Sequence, residues 1–263
     1  MRLFWELIKL SFQRQLTYRA ANIAGLLTNA FFGILRSSVM IALFGARGEV
    51  VGMTLQQAIT YTGITQALIG YLTIFRWLDL MHSVYSGEVG ADMLKPMGLF
   101  QLWLGRDVGR ATAQLLMRGL PIMLIYALLY DVNYPATITQ WIGLLASLPL
   151  GLLISFSWRF LLNGAAFWTP NALGIVRMGT AVLWILSGFL MPLRFFPDWV
   201  QTFCYWTPFP SMMYMSMEIY VGLLDGWAMV EAIAIQALWA MGMILGCQLL
   251  LRAGMKRLVI LGG

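Results

Sequence analysis

The sequence predicts an all-α polytopic membrane protein: six transmembrane helices, an N-terminal helix lying in the interface, and outer re-entrant helices. Three observations predict it. Of 263 residues, 60% are hydrophobic and only 11% are charged, where a soluble domain carries about 25% charged residues. Mean hydropathy is +0.77. The apolar stretches run along the whole length, so residues 1–263 read as one membrane domain with no soluble domain of useful size beside it.

The N-terminal helix comes first. Leu3, Phe4, Leu7, Ile8 and Phe12 recur at helical spacing, while Arg2, Glu6, Lys9, Gln13 and Arg14 fill the other face. That pattern predicts an amphipathic helix within residues 1–19, lying in the interface rather than crossing it. Its charges interrupt any continuous apolar core, so it does not read as a cleavable signal peptide.

The spans follow. A spanning helix needs about 20 mostly apolar residues, and six stretches qualify: 21–45, 54–75, 108–130, 138–162, 172–192 and 228–251. No charge occurs from Val50 to Phe75, from Val132 to Trp158 or from Ala232 to Leu251. The first and third spans each hold an arginine, Arg36 and Arg118. Gly242 and Gly246 in the last span have the spacing of a small-residue helix contact; Gly105 and Gly109 repeat it near a polar boundary.

Basic residues set the orientation. With both termini in the cytosol, Arg2, Lys9, Arg14, Arg19, Arg76, Lys95, Arg106, Arg110, Arg177, Arg252, Lys256 and Arg257 lie on or near the cytosolic side, and only Arg47 and Arg194 lie outside. The net charge of +6 therefore reads as membrane topology and not as a nucleic-acid surface. Six spans return the C-terminus to the side on which the chain starts. The expected location is a membrane, among lipids, crossed several times with both termini in the cytosol.

Two connections do not look like solvated loops. The first, residues 76–106, holds Tyr85, Gly87, Glu88, Val89, Asp92, Leu94, Lys95 and Pro96. Glycines permit a turn, and Pro96 ends any helix at or before Lys95. A short helix so bounded, amid an almost wholly apolar chain, suits docking to something in water. The second, residues 192–227, is long, external and apolar. It contains Pro192, Phe196, Pro197, Trp199, Phe203, Trp206, Pro208 and Phe209. Backbone groups at membrane depth need helices or burial, so Phe203, Trp206, Phe209, Met212, Met213 and Tyr214 predict short helices dipping back into the outer leaflet.

The turn Gly87-Glu88 followed by Leu94-Lys95-Pro96 resembles the cytosolic loop of ABC-2 type transporter permeases. The outer pattern of Ser187, Gly188, Pro192, Leu193, Phe196, Pro197, Trp199, Pro208 and Phe209 is similar to theirs as well. The likeness is greatest to the subgroup of about 260 residues and extends over essentially the whole chain. It implies a permease that pairs with itself or a related second permease and binds a separate cytosolic ABC ATPase. It further implies that 1–19 is an elbow helix, 76–106 the coupling loop and 192–227 an outer re-entrant gate. No glycine-rich loop ending in Gly-Lys-Ser/Thr occurs here, so ATP and Mg belong to the partner ATPase. The resemblance also implies export, by alternating access, of a hydrophobic or amphipathic substrate.

An arginine at a span centre costs roughly 2.5–3.5 kcal/mol on insertion scales, so Arg36 and Arg118 should face the interior, a cavity or a partner. They read either as contacts for an anionic or amphipathic substrate or as structural pairs, with Asp107, Glu218 and Glu231 as available counter-charges. One histidine and two distant cysteines, Cys204 and Cys247, supply neither a metal cluster nor a disulfide framework. That disfavours an intramembrane enzyme. A secondary transporter or channel without an ATPase, and a non-transporting membrane assembly subunit, are the alternatives to an exporter.

Overall fold

The computed structural model describes residues 2–75, 77–169 and 171–257. Met1, Arg76 and Pro170 lie outside the described residues, as do 258–263, so the cytosolic placement expected of Arg76 falls outside them too. Helix α1 (Arg2–Thr17) leads directly into α2 (Arg19–Phe44). A two-residue hairpin, β1 (Glu49–Val50) with β2 (Met53–Thr54), turns the chain into α3 (Leu55–Leu72). Then come α4 (Asp79–Tyr85), α5 (Val89–Met93) and α6 (Leu99–Gln114). One wide π-helical turn, Leu115–Gly119, joins α6 to α7 (Leu120–Leu129). Helix α8 spans Ile138–Gly164 and α9 Leu173–Leu186. Short helices α10 (Asp198–Tyr205), α11 (Phe209–Met212) and α12 (Tyr214–Tyr220) precede the long α13 (Gly226–Met255).

Local chemistry sets several of these boundaries. Thr54 caps α3 and Gln57 bonds back to it; Thr137 and Gln140 do the same for α8. Each capping box satisfies N–H groups that a helix start leaves free. The π turn precedes Pro121, which has no N–H to give and sits in the first turn of α7, where that loss is tolerated.

Helices occupy all six stretches expected to span. Four are long and apolar enough to cross a membrane among the described residues: Arg19–Phe44, Leu99–Leu129, Ile138–Phe167 and Gly226–Met255. The helical segment containing the third expected span starts at Leu99, so the expected loop 76–106 is helical over its last residues. Helix α9 has 14 residues. Helix α3 has 18 residues but carries Gln56, Gln57, Gln66, Thr60, Thr62 and Thr65.

The polarity of α3 fits its place. It is buried on nearly every face, between α2, the π turn, α7 and α8. Thr60, Thr62 and Thr65 return their hydroxyls to carbonyls one turn back, so the burial leaves those donors satisfied. The lipid-facing burden falls on other helices: α2 exposes Leu27, Phe31, Phe32 and Leu35, and α13 exposes Leu238, Met241, Leu245 and Leu249.

The two glycine pairs part company here. A Cβ at Gly109 would collide with the Ile8 carbonyl, and one at Gly105 would press on Phe4. The Gly105–Gly109 pair is the groove in which α1 lies across α6. Gly242 faces open space, and Gly246 meets Leu161 only at 4.0 Å, so that pair makes no close helix contact among the described residues.

Candidate coupling face and outer segment

The polar turn between α3 and α6 is built around Gly87. Its φ of +78° is left-handed, a conformation that costs a residue with a Cβ roughly 1 kcal/mol or more. The chain reverses there, so α4 and α5 form a small helical corner. Val89 is fully buried among Trp77, Leu80, Phe100 and Trp103. Asp92, three residues on, also faces inward and is gripped by two cations. Arg106 of α6 donates to both its carboxylate oxygens at 3.0 Å, and Lys95 Nζ donates at 2.7 Å. Burial raises the Asp92 carboxyl, but the hydrogen bonds and charges of Lys95 and Arg106 outweigh it, and its pKa lies below the ordinary carboxylate value.

The expected contact residues therefore divide by direction. Val89 and Asp92 are inward anchors. Tyr85 is a tie: its hydroxyl donates to the Thr169 carbonyl at 3.2 Å and accepts from the Ala172 N–H at 2.6 Å, joining α4 to the α8–α9 connection. Gly87, Glu88, Leu94 and Pro96 point outward, and Lys95 spans the two sets. Leu94 is 88% exposed, an apolar side chain held out beyond the helical corner.

Behind this corner is a cleft of about 800 Å³. Helix α1 supplies Ser11, Arg14 and Gln15 to its walls, α4 supplies Asp79 and His82, α5 supplies Asp92, and α6 supplies Arg106 and Arg110. Ser11 donates to the Arg106 carbonyl, and Gln114 Nε2 donates to Gln15 Oε1 at 3.0 Å and to Asn22 Oδ1 at 3.1 Å, so α1 is pinned at both ends of the cleft.

The cleft's inner wall holds a cluster that sequence reasoning missed. Asp107 of α6 is buried and accepts from Arg159 of α8 at 3.0 and 2.8 Å and from Arg110 at 3.0 and 2.9 Å. Arg110 also donates to the carbonyls of Gly70 and Tyr71, at the C-terminal end of α3. Helices α6 and α8 thus meet on one carboxylate, and Arg110 ties the end of α3 to it. The signal was present as Asp107-x-x-Arg110, an i,i+3 pair at the polar end of a span, with Arg159 at the polar end of another. Asp107 is accordingly not the counter-charge of Arg36 or Arg118.

Neither of the other suggested acids serves those arginines. Glu218 binds Arg194 and accepts from the Tyr214 hydroxyl at 2.6 Å, and Glu231 forms no ion pair among the described residues. Arg36 donates instead to the carbonyls of Phe189 and Leu190 and lies 5.3 Å over the Phe189 ring. Those carbonyls follow Gly188, where the backbone turns left-handed. Arg118 donates to the Ala21 carbonyl and to Asn22 Oδ1.

The outer segment also divides. Trp199 and Phe203 of α10 and Trp206, which follows its last residue, share one face and are exposed, while Cys204 is buried opposite. Phe209, Met212, Met213 and Tyr214 are buried, and the Met212 carbonyl closes on Gly151 of α8. Pro192 is buried, Phe196 and Pro208 are half-buried, and Pro197 is exposed. The inward part of the segment is α11 and α12; α10 lies over it with its aromatic face out.

Residues 31–262 match the family described as ABC-2 family transporter protein. That span is most of the chain. The chain belongs to this family. It is an integral membrane protein of the ABC-2 permease type, a membrane transport component. No curated protein matches it. ABC-2 permeases associate in general with ABC ATPase subunits, and in this ABC-2 chain the salt-bridged corner at 86–97 is a polar feature between two helices.

Proposed function

We propose that this chain is the membrane subunit of an ABC exporter, driven by a separate ATPase that docks on the helical corner formed by α4 and α5. The observation that carries the reading is the contrast between Asp92 and Leu94. One is locked to α6 by two cations; the other is nearly free of the chain. A corner that is rigid at its root and apolar at its tip can pass force. Gly87, Glu88, Leu94, Lys95 and Pro96 make the docking surface, and Tyr85, Val89 and Asp92 hold its shape. ATP and Mg are held by the partner. The load path runs from Asp92 through Arg106 into α6, and from Asp107 and Arg110 to α3 and Arg159 to α8.

In this reading six helices cross the bacterial cytoplasmic membrane with both termini in the cytosol. A second permease, the same chain or a related one, completes the path for a hydrophobic or amphipathic substrate moved by alternating access. Segment 192–227 is the outer gate, with α11 and α12 as its inserted part and the Trp199, Phe203 and Trp206 face on the lipid headgroups. Arg36 is structural rather than a substrate contact, because its guanidinium already serves the Phe189 and Leu190 carbonyls.

Affinity purification in lipid tests the docking. Leu94→Asp should reduce the nucleotide-hydrolysing subunit that co-purifies by about tenfold, the size of one interface anchor, and leave the unfolding midpoint unchanged. Full retention with Leu94→Asp, or full transport after deleting Gly87 to Lys95, would sink the reading in favour of an ATPase-independent transporter. Orientation has its own check on a chain with Cys204 and Cys247 replaced by serine. Trp206→Cys should react with an impermeant reagent in intact cells, and Leu94→Cys only after the membrane is opened; the reverse order overturns the topology.

A further inference from the structure

A second cavity lies away from the coupling face, at the junction of α1 and α2. It is a groove of about 330 Å³ lined by Leu16, Arg19, Asn22, Ile23, Leu26 and Met117. Leu16, Ile23, Leu26 and Met117 give it an almost wholly apolar floor. Arg19 stands exposed at its edge and forms no ion pair among the described residues. The first turn of α2 carries no acid, and Tyr18 provides no side-chain cap. Arg118 flanks the groove beside Met117. Its guanidinium lies over Gly25, where any Cβ would collide with it, and donates through Nη2 to Asn22 of the lining. Its Nε is buried without a partner, and Nη1 makes no hydrogen bond among the described residues. A guanidinium has five N–H donors, and donors left unpaired near hydrocarbon are costly. Two cations, no acid and an apolar floor, at the point where an interfacial helix turns into a span, fit one kind of occupant.

We infer that this groove binds a single anionic phospholipid of the surrounding leaflet, its phosphate on Arg19 and Arg118 and an acyl chain along Leu16, Ile23, Leu26 and Met117. An anionic headgroup is favoured over a zwitterionic one because Arg19 and Arg118 attract its net negative charge, while a zwitterionic headgroup brings a cation close to them and no acid in the lining offsets that repulsion. A lipid seated there braces the joint between α1 and α2, and so steadies the α1 wall of the coupling cleft. The inference rests on the membrane location of the chain and not on transport.

Native mass spectrometry of the full-length protein in detergent, titrated with phosphatidylglycerol or phosphatidylcholine, tests it. The wild type should retain one phosphatidylglycerol in preference to phosphatidylcholine. Arg19→Gln should weaken that retention about fivefold, the effect of one basic residue at an anionic membrane surface. Arg19→Lys should keep most of it, which separates lost charge from lost fold, and Arg252→Gln, exposed on α13, should change nothing. Equal retention of the two lipids by the wild type, or an unaltered preference in Arg19→Gln, overturns the inference. So does displacement of the lipid by millimolar inorganic phosphate, which would mark a free-anion site instead.

Discussion

Asp107 accepts four hydrogen bonds from two arginines and has almost no contact with water. Removing one member of a buried ion cluster leaves the others uncompensated, at a cost of about 3–5 kcal/mol. Asp107→Asn should therefore lower the thermal midpoint of the detergent-solubilised protein by several degrees, and a midpoint equal to wild type would show that water already reaches Arg110 and Arg159. Asp92 is a milder case, since its cations are 34% and 40% exposed and solvent screens the pairs to on the order of 1 kcal/mol. Its folded pKa lies below the unfolded value of about 3.9, so its contribution is complete above that value and is lost as pH falls through the folded pKa. Proteolysis of the 86–97 corner should be flat from about pH 5 to 8 and rise below about pH 4. In Asp92→Asn the rate should be raised at neutral pH and should lack that acid step; an acid step of the same size in the variant would assign it to another group.

At the scale of elements, α1 is the clearest instance of sequence pattern becoming packing. Its apolar stripe was legible from spacing alone, and so was its amphipathic character. Its seat was not, because the Gly105–Gly109 pair lies on a helix far away in the chain and its spacing marks a helix contact without naming the partner helix. The physical reason emerges only when the Ile8 carbonyl is found against Gly109. Gly109→Leu should lift α1 from α6 and expose the bonds after Lys9 and Arg14 to limited trypsin digestion several times faster than in wild type. Gly242→Leu, whose added side chain meets open space, should leave that digestion unchanged. If both variants are cleaved at the wild-type rate, α1 does not depend on that groove. The outer segment follows similar logic: aromatic content marked it as membrane-associated, but content cannot tell the exposed face of α10 from the buried faces of α11 and α12. That division depends on which residues α8 meets.

For the whole molecule, composition and charge distribution carried the membrane reading, and the order of small motifs carried the family. Helices stand on all six expected stretches, yet α3 departs from the apolar ideal because neighbouring helices, rather than lipid, surround it. Hydropathy alone ranks such a helix poorly, and contact with α2, α7 and α8 explains why it tolerates its glutamines and threonines. The buried cluster on Asp107 was the main thing left unread: Asp107 and Arg110 share α6, but Arg159 comes from α8 and only folding brings it within 3.0 Å of the carboxylate. Together these features describe a helical bundle with a salt-bridged corner at its polar end and the exposed Leu94 beyond it. The most direct test places a photo-reactive amino acid at position 94 of the chain in its own membrane and identifies what it captures by mass spectrometry. The account predicts an adduct with a separate polypeptide that contains a phosphate-binding loop, formed from position 94 and absent from position 206. Capture of lipid alone at position 94, or equal capture of that polypeptide from both positions, would contradict it.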